Sequence, residues 1–588
     1  MLIAPISRMT FEDQSLFVAR RVVAFASLCA FASLGQQADA LFGSCGLYEV
    51  PLFFGAQKFP ALVVKLICGI GAVISFLDFI AKLKAYPVIL PILYGSLQII
   101  SSAAVADGVT LTHADWLLLE ALVILHPKIW NKNVGNFFVG RLLLHALASK
   151  LIGCDANGQD WLGIKFDAVN QPFPFTPVWH LNRLPDSLVG ALNVSVILVE
   201  GTVGVCLIVL PLLFLKSSAA DSKAPRVAPP SFIDGLKLFA SVSSFVYSLF
   251  FMVVGNFNWS LPLLAAFALA GMPGPFVEGL LGAELLRRWG CKSRGELSKE
   301  DLEILVVHSL TFGAIGFLCF GGLVLQGPVR GVITPNMIAE FLPNALVVLG
   351  WVFAFCLLKS TSKAVALLSI LFAIFSQDAI GRSIVLMNFE TDFSSTLACS
   401  TFPEHAAGRH TREGRATVIF GARVDSALPE DRYTELSFPA AIHIEDIRPT
   451  HLLFHFPRLS LMAWRSLARP KEGSNSLLEK VRARVAAGHA SVRSLFSDAP
   501  ESRIRKVIGK RVKEAFGYFQ VYGLTERMAD HQWYTKKGKY GVFLDGKIAP
   551  VTLPECLDEA PVFPWVNVQS FVVTAGFAAL IARLLFLG

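Results

Sequence analysis

The sequence predicts a mostly α-helical fold: a polytopic transmembrane helical bundle of about 8–12 helices, a C-terminal α+β soluble domain partly built of β-strands, and a final C-terminal membrane helix. Three observations carry this expectation. The hydrophobic fraction is 54% with a mean hydropathy of +0.56 and only 16% charged residues, outside the range of ordinary soluble domains. Residues 85–106 and 304–329 carry no formal charge, and neither do the 40 residues 238–277. These runs are uninterrupted rather than alternating, which selects helices that satisfy their own backbone over a barrel.

The apolar runs place helices near residues 19–38, 59–81, 85–106, 114–126, 136–152, 187–215, 232–254, 259–283, 304–326, 341–358, 362–377 and 565–587. Arg20 and Arg21 precede the apolar stretch Val22 to Gly35, and Ala38-Asp39-Ala40 has the pattern of a signal-peptidase site. Glu12 and Asp13 would then fall in the charged region of an unusually long leader, so an uncleaved first helix is expected. The polar segment from Gly153 to Asp186 is rich in proline and aromatics, a composition expected of a functional loop. Lys216 to Pro230 reads as a flexible linker, and Arg287 to Glu303 as a charged, solvent-facing loop.

The bundle is thus expected over residues 1–376. A soluble α+β domain is expected over 377–560, with strands at 412–440 and basic helices at 477–518. A C-terminal membrane helix is expected over 561–588, where Arg583 can snorkel to an interface.

The formal charge of +8 is small for 588 residues. Its density peaks in the basic segment 480–513, which could contact anionic lipid headgroups. No nucleic-acid module accompanies it, so nucleic acid is not an expected partner. Membrane lipids and client or partner proteins are. The ten cysteines are scattered without CxxC or zinc spacing, and no metal or cofactor is expected. His451 and His455 have metal-ligand spacing but lack the glutamate of HExxH, and no GxSxG elbow, P-loop or GxGxxG occurs. No catalytic residues are therefore assigned. Basic residues occur in connections expected on both sides, so the positive-inside count does not set an orientation.

Ionisable side chains within apolar helices ask for partners. Asp78 has Lys82 four positions on, on the same helix face. Asp115, Glu120 and Glu200 have no local base, and Arg141 and Lys150 are the candidates across the bundle. Asn256, in GNFNWSLP, joins this intramembrane polar set. Two or three scattered carboxylates do not make a proton relay.

The stretch DAVNQPFPFTPVWHLNRLP, residues 167–185, resembles the hallmark loop of the lipase maturation factor family through Gln171, Pro172, Pro174, Pro177, Trp179, His180, Leu184 and Pro185. Val169-Asn170 replace the family's Glu-Thr, and Phe166-Asp167 its usual histidine and tyrosines. Other blocks follow in the family's order. They are RRVVAFASLCAFASLGQQADALFGSCGLYEVP, ADWLLLEALVILHP with Asp115 and Glu120, FFVGRLLLHALASKLIG with Arg141 and Lys150, GNFNWSLPLLAAFAL, and FPRLSLMAW. The family's lumenal strand region is poorly reproduced between Asp392 and Asp446.

The resemblance implies a multi-spanning endoplasmic-reticulum membrane protein that assists folding and assembly of secretory clients such as dimeric lipases, without catalysing a reaction. Two alternatives are weighed. A non-catalytic structural subunit of a large membrane complex could be built on such a scaffold, in the mitochondrial inner membrane or another organelle membrane. The bundle also resembles the membrane part of vitamin K-dependent carboxylases, in which case Lys150 and His180 would be the candidates for a convergent active site.

Overall fold

The computed structural model describes residues 12–42, 47, 51–52, 55–58, 61–80, 83, 87–104, 113–126, 130, 132–156, 176–214, 232–254, 259–272, 276, 299–325, 415–424, 433–437, 458–459, 481–483, 485, 512–524 and 534–544. Its helices are α1 (Glu12–Phe42), α2 (Ala61–Phe79), α3 (Ile89–Ala104), α4 (His113–Ile124), α5 (Lys132–Ala156), α6 (Thr176–Arg183), α7 (Asp186–Phe214), α8 (Phe232–Val254), α9 (Ser260–Gly271) and α10 (Lys299–Leu325). Strands β1 (Pro51–Leu52) and β2 (Gly55–Lys58) pair antiparallel between α1 and α2.

Four of these helices, in α1, α2, α7 and α8, are long and apolar enough to cross a membrane. α2 shows the pattern that lipid imposes. Its buried stripe is Ala61, Val64, Cys68, Gly71, Ser75 and Asp78, small or polar residues at three-to-four spacing. The opposite stripe, Leu62, Leu66, Ile70, Val73 and Phe76, is bulky, apolar and exposed. A soluble helix is apolar on its buried face; here the buried face packs helices closely and the exposed one matches hydrocarbon.

Helix α1 is the hub, packing on α2, α4 and α9. The 12-residue α4 and α9 reach only about 18 Å at 1.5 Å per residue. All twelve α9 residues are buried. Short inner helices are thus ringed by longer ones. Glycine allows a close approach between α5 and α7: a Cβ on Gly140 would lie 2.9 Å from the Gly204 carbonyl oxygen. Small residues at such crossings let the backbones touch.

The expected helix over 259–283 ends at Gly271. Met272 precedes Pro273 and is extended (φ −68°, ψ 149°), because a residue before proline is pushed out of the helical region. The segment 153–186 is not a loop throughout: α5 runs on to Ala156, and α6 occupies Thr176–Arg183. Pro177 sits in the first turn of α6, where its missing N–H breaks no helical bond.

Strands β3 (Arg415–Val424), β4 (Tyr433–Ser437), β5 (Val512–Leu524) and β6 (Tyr534–Leu544) form an antiparallel sheet in the order β4-β3-β5-β6. β5 corrects the expectation of a helix continuing to 518. The run AFGYFQVY at 515–522 is rich in aromatic and β-branched residues and carries Gly517, a composition that favours strand. Residues 481–483 and 485 are helical, with Val481 and Val485 buried in the apolar cluster that also holds the bundle helices. The expected helices at 341–358, 362–377 and 565–587 lie outside the described residues, as does most of the span 377–560.

Candidate functional site

A buried polar node forms where the C-terminal end of α1 and the middle of α3 meet the start of α4. Asp115, in the first turn of α4, is fully buried. Its Oδ1 accepts from the Tyr94 hydroxyl at 2.6 Å and from Arg458 Nη2 at 2.7 Å, and its Oδ2 accepts from Arg458 Nη1 at 2.6 Å. Gln98 donates to the Asp115 carbonyl at 2.7 Å. The Arg458 backbone N–H donates to Gln37 Oε1 of α1 at 2.8 Å. Trp259, at the entrance to α9, donates its indole N–H to the Ala114 carbonyl at 2.8 Å.

A guanidinium forks onto both oxygens of a carboxylate, which a lysine cannot do. Burial alone would lower the pKa of Arg458. The Asp115 charge and its hydrogen bonds outweigh that effect, so the guanidinium is held above the ordinary arginine value and stays charged. The node therefore holds a neutralised ion pair rather than a reactive acid or base. It fastens a residue 343 positions away into the bundle.

The other polar residues expected within the membrane part occupy separate places. Asp78 meets Arg20 and Arg21 of α1, two partners that the helix-face spacing did not point to. Arg20 contacts the two carboxylate oxygens at 2.5 and 3.1 Å; Arg21 Nη1 donates to Oδ1 at 2.7 Å and also to the Asp78 carbonyl. Lys82 lies outside the described residues. The helix-face spacing nominated a neighbour, whereas α1 and α2 run antiparallel and bring the α1 arginines to the end of α2.

Glu120 of α4 pairs with Arg141 of α5 at 2.6 Å, with both side chains buried. Glu200 of α7 accepts from the Tyr247 hydroxyl of α8 at 2.5 Å. Lys150 belongs to α5, with its side chain outside the described set, and Asn256 is outside it altogether.

In the family-like loop, Gln171, Pro172 and Pro174 lie outside the described residues. Pro177 and Trp179 are half-buried on α6, His180 is exposed, and Pro185 is exposed between α6 and α7. Trp179 and His180 stack edge to face at 5.3 Å, and the Arg183 guanidinium lies 5.0 Å from the Trp179 ring. Lys150 and His180 are not placed at one site by any described contact. No group of three or more His, Cys, Asp or Glu residues suited to a metal occurs among the described residues.

Sequence reasoning missed Arg20, Arg21, Tyr94, Tyr247 and Arg458 as partners. A signal was present for Arg458, which is the arginine of the PRL block in FPRLSLMAW. Comparison with protein families, with curated proteins and with solved structures returns no significant match for this chain.

Proposed function

We propose that this protein is a non-catalytic maturation factor of the endoplasmic-reticulum membrane that assists folding and assembly of secretory clients such as dimeric lipases. The observation that carries this reading is the meeting of family-like blocks at one node. The first-helix block supplies Gln37, ADWLLLEALVILHP supplies Ala114 and Asp115, GNFNWSLPLLAAFAL supplies Trp259, and FPRLSLMAW supplies Arg458. A fifth block, FFVGRLLLHALASKLIG, supplies Arg141 to Glu120. Collinear blocks that join in space as buried hydrogen-bonded pairs support one inherited scaffold.

In physical terms the bundle anchors the chain and the Arg458 pair ties the later part of it to that anchor. A C-terminal α+β domain over 377–560 holds partly folded clients. The start of its basic segment 480–513 packs on the bundle, a placement supported by the burial of Val481 and Val485 with the bundle helices. On α6, Trp179 and His180 pair an apolar body with polar tips, a combination suited to an interface.

The test is gentle-detergent affinity purification of the tagged protein with mass spectrometry, and imaging of its compartment. Endoplasmic-reticulum residence with substoichiometric secretory clients supports the reading. Fixed stoichiometric partners in another membrane would overturn it in favour of a structural subunit.

A further inference from the structure

The contacts between helices reveal which connections share an end of the bundle, and that sorting separates the charges. α1 and α2 are antiparallel, because Arg20 and Arg21 meet Asp78 at one end while Lys65 meets Asp39 at the other. α4 begins at the end where α1 finishes, because Asp115 and Gln37 share Arg458. α9 also begins there, through Trp259 and Ala114, and finishes at the opposite end, where Met272 accepts from Ser15. α5 starts beside the end of α9, since a Cβ on Gly271 would lie 3.4 Å from Asn136 Oδ1. α7 runs against α5 through Gly140 and Gly204, and α8 starts near the end of α9 through Ser241 and Gly271. α10 runs parallel to α8, with His308 against Gly235 and Phe239 against Gly313.

Helices α1, α2, α4, α5, α7, α8, α9 and α10 thus have assigned directions. Segments 43–60, 105–112, 157–185 and 255–259 each adjoin a helix end at the Arg458 end, and segments 80–88, 125–131, 215–231 and 272–298 each adjoin one at the Arg20 end. The Arg458-end connections contain three basic residues in all, Lys58, Lys165 and Arg183. The Arg20-end connections contain ten: two in 80–88, one in 125–131, three in 215–231 and four in 272–298. Each end has four acidic residues in these connections. All eight are short enough for the positive-inside rule, which counts Lys and Arg rather than net charge.

We infer that the Arg20 end faces the cytosol when the chain inserts at the endoplasmic reticulum, and that the Arg458 end, with residues 157–185, is translocated to the lumen. The asymmetry has a physical cause. Basic connections resist translocation and are attracted by the anionic cytosolic leaflet, at about 1 kcal/mol per residue near the surface. The orientation places α6 and the Asp115–Arg458 node on the side where secretory polypeptides fold. It also places residues 1–11 and the linker 215–231 in the cytosol.

The inference is tested by cell-free translation of the full chain into sealed microsomes. Gln159→Thr completes a glycosylation acceptor at Asn157, between α5 and α6; Ala220→Asn creates one in the 215–231 linker. The Gln159→Thr chain is expected to gain one endoglycosidase-sensitive glycan and the Ala220→Asn chain none. A glycan on the Ala220→Asn chain overturns the orientation.

A second readout guards against an acceptor too close to the bilayer. Membrane-impermeant maleimide, added to the same vesicles, is expected to label a single-cysteine chain retaining Cys291 and not one retaining Cys45. The reverse pattern, or equal labelling of both before lysis, overturns the inference. The result is independent of any client. A correct orientation without secretory clients would leave this inference standing and sink the maturation-factor reading, whereas cytosolic exposure of 157–185 would remove both.

Discussion

Replacing Arg458 by alanine leaves the Asp115 carboxylate in a site from which water is excluded. Both members of the pair are almost wholly buried, with side-chain exposures of 2% and 1%. The substitution deletes two charge-assisted bonds of 2.6 and 2.7 Å and retains the bond from the Tyr94 hydroxyl. Breaking one side of a buried, hydrogen-bonded ion pair costs about 3–5 kcal/mol, because the remaining charge is uncompensated. Lys65→Ala provides the contrast. Its bond to Asp39 is 2.5 Å long, but the side chains are 41% and 57% exposed, so its loss is expected to cost at most about 1 kcal/mol.

Thermal unfolding of the detergent-solubilised protein, followed with a thiol-reactive dye that reports exposure of buried Cys68, measures both variants. Arg458→Ala is expected to unfold well below the parent and Lys65→Ala close to it. In an Asp115→Asn background, Arg458→Ala is expected to cost about 0.5–3 kcal/mol less than it does alone. Equal midpoints for Arg458→Ala and Lys65→Ala, or an unchanged cost in the Asp115→Asn background, would refute the reasoning that the pair is a buried structural latch.

Other outcomes follow from the same contacts. Gly140→Ala forces a methyl to 2.9 Å from the Gly204 carbonyl and is expected to destabilise by about 1–3 kcal/mol, whereas Gly69→Ala, with nothing within 4 Å of the added carbon, is expected to be neutral or to stabilise by up to about 1 kcal/mol. Unfolding midpoints separate the two. Trp259→Phe removes the indole donor to the buried Ala114 carbonyl and is expected to cost about 1–3 kcal/mol in the same assay. Arg141→Met leaves Glu120 without its 2.6 Å partner and is expected to lower the yield of detergent-stable protein, with partial recovery when Glu120→Gln is added. The paired change Trp179→Ala and His180→Ala alters a half-buried and an exposed position on α6. It is expected to leave expression and insertion intact while lowering lipase maturation in cells; loss of the protein itself would assign α6 a packing role.

The membrane class of this protein was legible from residues alone, because hydrocarbon solvent imposes a local rule: each spanning segment must be apolar along its own length. Hence α1, α2, α7 and α8 all lie on runs recognisable in the sequence. The partners of the buried charges were not legible. The i, i+4 pattern nominated Lys82 for Asp78 and gave no pointer to Arg20 and Arg21, which lie 58 and 57 positions away on α1. Arg458 finds Asp115 across 343 positions, in a segment whose local composition marks no membrane contact. Helix length was partly legible: Pro273 stops α9 through a local steric effect, but the burial of all its residues reflects the ring of helices around it. The sequence by itself therefore determined that the chain enters a membrane and roughly where. Tertiary structure decided which charges neutralise one another and which connections share a side, because both depend on helix direction and contact, quantities that no local pattern encodes.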